Sequence, residues 1–175
     1  MNDANRAALM EVLGLLELEQ IEENIFRGVS PKARTQRVFG GQVLGQALAA
    51  AIRTVEPPRL CHSLHAYFLR PGDPRIPILY EVDRARDGRS FTARRVIAVQ
   101  HGVQIFNLAA SFQVPEAGFD HQFDMPKVPP PEDLKDAAEI LMQRLDQFPE
   151  HLRDWIRRPR PFETRPVILD GPGDR

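Results

Sequence analysis

A chain of 175 residues is long enough for one domain, or one domain with an appendage, and a formal net charge of -1 gives no electrostatic ground for a nucleic-acid partner. Its 42% hydrophobic and 27% charged residues fit a soluble globular protein, and no apolar run is long enough to span a bilayer. Cys61 is the single cysteine, which excludes an intrachain disulfide and fits a reducing compartment. The first residues, Met1 to Arg6, lack the basic start and apolar core of a signal peptide, so a cytoplasmic location is expected.

In chain order, Ala7 to Leu18 sets Leu9, Val12, Leu13 and Leu16 at helical spacing, which predicts a short amphipathic helix despite Gly14. Glu22 to Arg27 predicts a strand, closed by Gly28, and Ser30 to Arg37 a polar loop. The organising stretch follows. Val43, Leu44, Ala47, Leu48, Ala51 and Ile52 keep the helical period, and few charges interrupt them before Arg53. The pattern predicts a helix over Gly41 to Thr54, buried on most sides. Gly41, Gly45 and Ala49 form a stripe with almost no side chain. A glycine inside a helix costs about 1 kcal/mol relative to alanine, so the stripe predicts a close approach of backbone, as where a curved sheet wraps a helix. Pro57 and Pro58 then stop the helix.

From Leu60 the period becomes that of strands. Four are predicted: Leu60–Leu69, Ile76–Arg86, Ser90–Gln100 and Val103–Val114, with turns at Arg70–Pro74, Asp87–Gly88 and His101–Gly102. Strict alternation on the first puts His62, Leu64, Ala66 and Phe68 on one face, and Ser63, His65 and Tyr67 on the other. One buried helix followed by four hairpin-connected strands predicts an α+β domain, an antiparallel sheet curled around the helix. Such a sheet leaves edges to be covered, so a homo-oligomer or a second copy of the domain is expected.

Ala117 to Pro131 carries four prolines and no period, and reads as a linker. Glu132 to Asp146 predicts an amphipathic helix, Pro149 to Arg157 a short one carrying Trp155, and Phe162 to Leu169 the opening of a further strand. The expected organisation is a domain over 1–118, a connector over 119–161, and over 162–175 the start of a second domain that the chain does not complete. The Arg157–Arg160 run, without interleaved aromatics, reads as a solvated linker.

Four ordered blocks resemble the acyl-CoA thioesterase II family. They are Gln36-Arg37-Val38-Phe39-Gly40-Gly41-Gln42 with Gly45-Gln46-Ala47; His62 to Asp73; Arg86 to Val96; and Ala110 to Glu116. The resemblance implies a hotdog fold, with the long helix as sausage and the sheet as bun. It also implies a water-dependent hydrolase that splits acyl-CoA into free acid and coenzyme A without a metal or redox cofactor. Family members resemble two fused hotdogs, and their water-activating Asp, with a hydroxyl residue and a Gln, lies in the second; this chain matches the first.

Thioester hydrolysis needs a positioned water, a group to take its proton, and donors for the developing oxyanion. Gly40 and Gly41 at a helix start are candidates for the oxyanion site, or simply permit a tight loop. Gln42 either donates a side-chain hydrogen bond to substrate or caps the first turn. His62 is the candidate base, by its pKa range, or a hydrogen-bonded core histidine. Cys61 alternates with it, so the two make no nucleophile–base pair. The central helix carries Gln46 where an acid would have served, and Ser111 and Gln113 read as structural. Phe39, Leu64 and Phe68 are candidate walls for an acyl tunnel. Arg70 and either Arg94 or Arg95 are candidates for the phosphates of coenzyme A, the alternative being cross-strand ion pairs with Glu81 or Asp83. Two rival functions remain: an acyl-thioester hydratase or dehydratase, and a non-catalytic acyl-CoA-binding module.

Overall fold

The computed structural model describes residues 3–31 and 36–167. Residues 13–118 form one compact unit, and residues up to 12 cluster with those from 119 onward instead of with the sheet.

The first unit is a six-stranded antiparallel sheet around one helix. Its strands are β1 (Glu19–Glu22), β2 (Ile25–Gly28), β3 (Leu60–Phe68), β4 (Ile78–Asp87), β5 (Phe91–Gln100) and β6 (Val103–Gln113), in the order β1-β2-β4-β5-β6-β3. The four long strands match the period-2 stretches closely. The predicted single strand Glu22–Arg27 is instead a hairpin, since Glu23-Asn24 turns the chain between β1 and β2. Asparagine favours turns because its side chain bonds local backbone, and this signal outweighs the apolar neighbours. Between β5 and β6, His101 (φ 51°) and Gly102 (φ 71°) make a two-residue turn with both φ positive, the form that matches strand twist.

Helix α1 covers Asp3–Leu15 and α2 covers Gly40–Ile52. The buried face of α2 is Val43, Gln46, Ala47, Ala50 and Ala51. It packs on Ile78 and Tyr80 of β4, Val96 and Ala98 of β5, and Phe106, Leu108 and Phe112 of β6. The close approach of helix to sheet therefore runs along the alanines, not along the predicted stripe. Gly41 is exposed, and a methyl placed on Gly45 would meet only the tip of Leu16, at 3.2 Å.

In the second unit the connector 119–130 has no regular element. The predicted helix Glu132–Asp146 shortens to α3 (Ala137–Gln143), because Asp136 caps it by accepting from the Ala138 N–H, and 3-10 turns flank it. Helix α4 is Glu150–Arg157. Residues 162–167 form no strand; there the Thr164 carbonyl accepts from the Ala137 N–H at 2.7 Å. The remainder of the predicted strand, to Leu169, lies outside the described residues. Among the described residues no helix is long and apolar enough to cross a membrane.

Candidate active site

The N-terminus of α2 opens on a cleft of about 390 Å³. Phe39 occupies the N-cap position with extended backbone and gives no side-chain cap. The Gln42 and Val43 N–H groups close on the Phe39 carbonyl. Gly40 and Gly41 precede them, at positions whose N–H groups an α-helix leaves without an internal acceptor. The cleft wall opposite is the end of β3. The ring of Phe68 lies over Gly40 so closely that an added methyl would sit 3.1 Å from Cε1. The absence of a side chain lets the ring approach this closely; a larger residue there would push it outward.

The chain beyond Phe68 is fixed backbone by backbone. The N–H groups of Leu69 and Arg70 both donate to the Ile105 carbonyl, and the Val38 N–H donates to Gly72 O at 2.9 Å. Buried Gln100 holds the next residue from both sides: its Oε1 accepts from the Asp73 N–H at 2.8 Å and its Nε2 donates to Asp73 O at 2.9 Å. Hydrogen bonds from Arg75, chiefly from its side chain, lower the Asp73 carboxyl pKa to about 2. Arg70 spends one donor on Gln104 O at 2.7 Å, and Arg37 stands on the same cleft wall.

Of the candidates drawn from the sequence, Gly40, Phe68 and Arg70 line this cleft, and Phe39 and Gly41 adjoin it. Leu64 faces the helix side of β3, level with buried Ala110. Sequence reasoning missed Arg37 and Gly72, which only the Val38–Gly72 hydrogen bond brings to the wall.

Gln42 neither caps the helix nor points a free amide at the cleft. Its Nε2 donates to Val29 O at 3.1 Å and Ser30 Oγ at 3.0 Å. One turn on, fully buried Gln46 donates to Leu15 O at 2.7 Å and Val29 O at 3.0 Å and accepts from the Tyr80 hydroxyl at 2.8 Å. The two glutamines tie α2 to the end of β2. Burial raises the pKa of Tyr80, so its hydroxyl stays protonated as donor.

His62 is displaced from the predicted face. The pairing runs Cys61 to Phe112, then Ser63 to Ser111, which leaves His62 as the extra residue of a β-bulge. Cys61 now shares the helix side with Leu64 and Phe68. His62 joins Ser111 on the outer face, its Nε2 2.9 Å from Ser111 Oγ. It lies six residues from Phe68, about 20 Å along an extended strand. A serine beside a histidine is part of a nucleophilic constellation, but among the described residues no carboxylate bonds the His62 ring to orient it as a base.

Arg94 is the second correction. It is 2% exposed, with Nε donating to Thr54 Oγ1 and Nη2 to Thr54 O, both at 2.8 Å. Nη2 also donates to Asp87 Oδ1 at 2.7 Å. It is neither at the surface for a phosphate nor paired with Glu81 or Asp83; it joins the end of α2 to the β4–β5 hairpin.

A six-stranded antiparallel sheet wrapped on a central helix, with its cleft at the helix N-terminus, defines a hotdog domain. Residues 29–113 match the family model described as acyl-CoA thioesterase N-terminal domain. The chain is 46% identical to acyl-CoA thioesterase 2 of Haemophilus influenzae over 164 residues, 94% of this chain and 57% of that protein. It is 44% identical to human acyl-coenzyme A thioesterase 8, over 89% of this chain and 51% of that protein. The crystal structure of an acyl-CoA thioesterase II, TesB2, from Mycobacterium marinum superposes with a TM-score of 0.63 at 51% identity, covering 70% of this chain and 45% of that one. The chain thus carries the N-terminal domain of the acyl-CoA thioesterase family, and it spans about half the length of the curated relatives it matches.

Proposed function

We propose that this chain is the N-terminal half of an acyl-CoA thioester hydrolase, and that the cleft at the N-terminus of α2 receives the acyl-thioester. The observation that carries the reading is Gly40 beneath the Phe68 ring, with the first-turn N–H groups of α2 beside it. In hydrolysis the water oxygen bonds the carbonyl carbon, the C–S bond breaks, and the coenzyme A sulfur leaves and is protonated. The negative charge that grows on the carbonyl oxygen is best met by preorganised N–H donors at a helix N-terminus. Phe68 and Leu64 supply apolar wall for the acyl chain, and the remaining donors of Arg70, beside Arg37, suit an anionic part of the substrate. The reaction draws on no metal or redox cofactor, and the single cysteine is in keeping with a cytoplasmic setting.

The described cleft wall contains no Asp, Glu or His. A group to deprotonate water must then come from elsewhere, in this reading from a second hotdog placed against β3. Support for that placement is the strand itself: β3 ends the sheet order with one side unpaired among the described residues, and carries exposed Leu60, Leu64 and Phe68. For the chain alone the nearest substitute is another copy about a two-fold axis. Light scattering at micromolar concentration is expected to give a dimer mass; a well-folded strict monomer contradicts it.

The same lack of an acid or base favours, for the chain by itself, binding with little turnover. A non-hydrolysable thioether analogue of acyl-CoA is expected to bind, and Gly40→Val, which drives a branched side chain into the Phe68 ring, to weaken it at least tenfold. Unchanged affinity in that variant overturns the assignment of the cleft. Turnover by the chain equal to that of a two-hotdog thioesterase overturns the account of the missing base.

A further inference from the structure

A second cleft, of about 470 Å³, lies at the opposite end of the sheet on its outer face, lined by Arg86, Arg89, Ser90, Phe91 and Ser111 among others. The thioester cleft does not use it, yet it concentrates positive charge. Among the described residues no carboxylate is paired with Arg86 or Arg89. The hairpin's own carboxylate, Asp87, is hydrogen-bonded to buried Arg94, which lowers its pKa and balances its charge. The nearby Glu116 accepts from Gln113 Nε2 at 2.6 Å. A third guanidinium fixes the loop from beneath: Arg59 Nη2 donates to Gly88 O at 3.1 Å and Arg89 O at 3.2 Å, while its Nε is buried without a partner. Guanidinium groups gathered without counter-charge repel one another unless an anion joins them, and their fork suits phosphate.

Beside this charge stands an aromatic platform. Phe91 is 47% exposed at the cleft, and the His62 ring braces it edge-on at 5.8 Å, held in turn by Ser111. An exposed ring next to arginines and two serine hydroxyls has the chemistry that takes a nucleoside base by stacking and its phosphate by charge.

We propose that this outer-face cleft binds a phosphorylated nucleoside, as a site separate from the thioester cleft. His62 is then a positioning residue for Phe91 and takes no part in water activation.

The test is calorimetric titration of the full chain with adenosine 3′,5′-bisphosphate, inorganic phosphate and adenosine. The bisphosphate is expected to bind at least tenfold more tightly than either of the others. The double variant R86Q/R89Q should weaken it at least tenfold and Phe91→Ala several-fold, with circular dichroism unchanged. Bisphosphate that binds no better than phosphate, or equally well to R86Q/R89Q, overturns the proposal. An S-alkyl pantetheine thioether, which lacks the nucleotide, separates the two readings. Its loss of binding in Gly40→Val beside an absent bisphosphate site leaves the thioester cleft standing and removes this one. Bisphosphate binding through Arg86 and Arg89 with no thioether binding sustains the nucleotide site and removes the thioester cleft.

Discussion

The inner and outer faces of the same six strands meet α2 and solvent with opposite chemistry. On the inner face every polar side chain is spent: Gln46 on Tyr80, Leu15 and Val29; Arg94 on Thr54 and Asp87; Gln100 on the loop backbone before Pro74. On the outer face His62 and Ser111 satisfy one another in a single bond, and Arg86 and Arg89 have no carboxylate partner among the described residues. Buried polar groups specify how helix and sheet are joined, because any left unpaired costs desolvation energy that nothing returns. Exposed ones are free to meet a ligand, because water satisfies them meanwhile.

Two substitutions read this difference directly. Gln46→Leu keeps the volume but orphans the buried Tyr80 hydroxyl and the Leu15 carbonyl. At about 1–3 kcal/mol for each unsatisfied group, the expected loss is about 2–6 kcal/mol, measured by urea unfolding. His62→Ala, on the outer face, is expected to cost less than about 1 kcal/mol, since water replaces the Ser111 bond. Equal losses from the two would erase the distinction.

A smaller effect of opposite sign is expected on α2. Gly45→Ala gains up to about 1 kcal/mol of helix propensity, and its methyl meets only the flexible tip of Leu16 at 3.2 Å. A raised melting temperature supports this; a clear fall would restore the predicted backbone contact.

The strands, the central helix and its apolar face were legible because burial on one side imposes a period, and the turns because Asp87-Gly88 and His101-Gly102 carry turn chemistry. The glycine stripe misled since a spacing of four identifies a helix face without saying whether sheet or solvent lies against it. His62 was misplaced by one residue of bulge, and nothing in Cys61-His62-Ser63 marks where alternation slips. Arg94 was read as exposed because arginine usually is; its partners, Thr54 and Asp87, meet it only in the folded sheet. The glycines and Phe68 of the cleft were legible singly, but their contact depends on the crossing of β3 over the start of α2.

The smallest expected effect concerns the loop that closes the cleft. Asp73 is ionised well below the ordinary carboxylate range, to about 2 from 3.8, because Arg75 donates to it from side chain and backbone. A carboxyl whose pKa is lower folded than unfolded favours the folded state wherever it is ionised in both, and stops doing so once protonated in both. Its contribution is therefore complete above about pH 4 and is lost as pH falls from there toward 2. Arg75 is largely exposed, so solvent screens the pair and the effect is modest. In Asp73→Asn, melting temperature should fall less steeply than in the parent between pH 4 and 2, with Asp87 still titrating against Arg94 in both. The Gln100 bonds to the Asp73 backbone do not depend on the carboxylate, so above pH 4 the cleft should keep its shape and its affinity for the thioether analogue. Parallel acid slopes in the two proteins would mean that the Arg75 pair contributes nothing to folding, leaving the loop to Gln100 and the backbone bonds at Gly72 and Ile105.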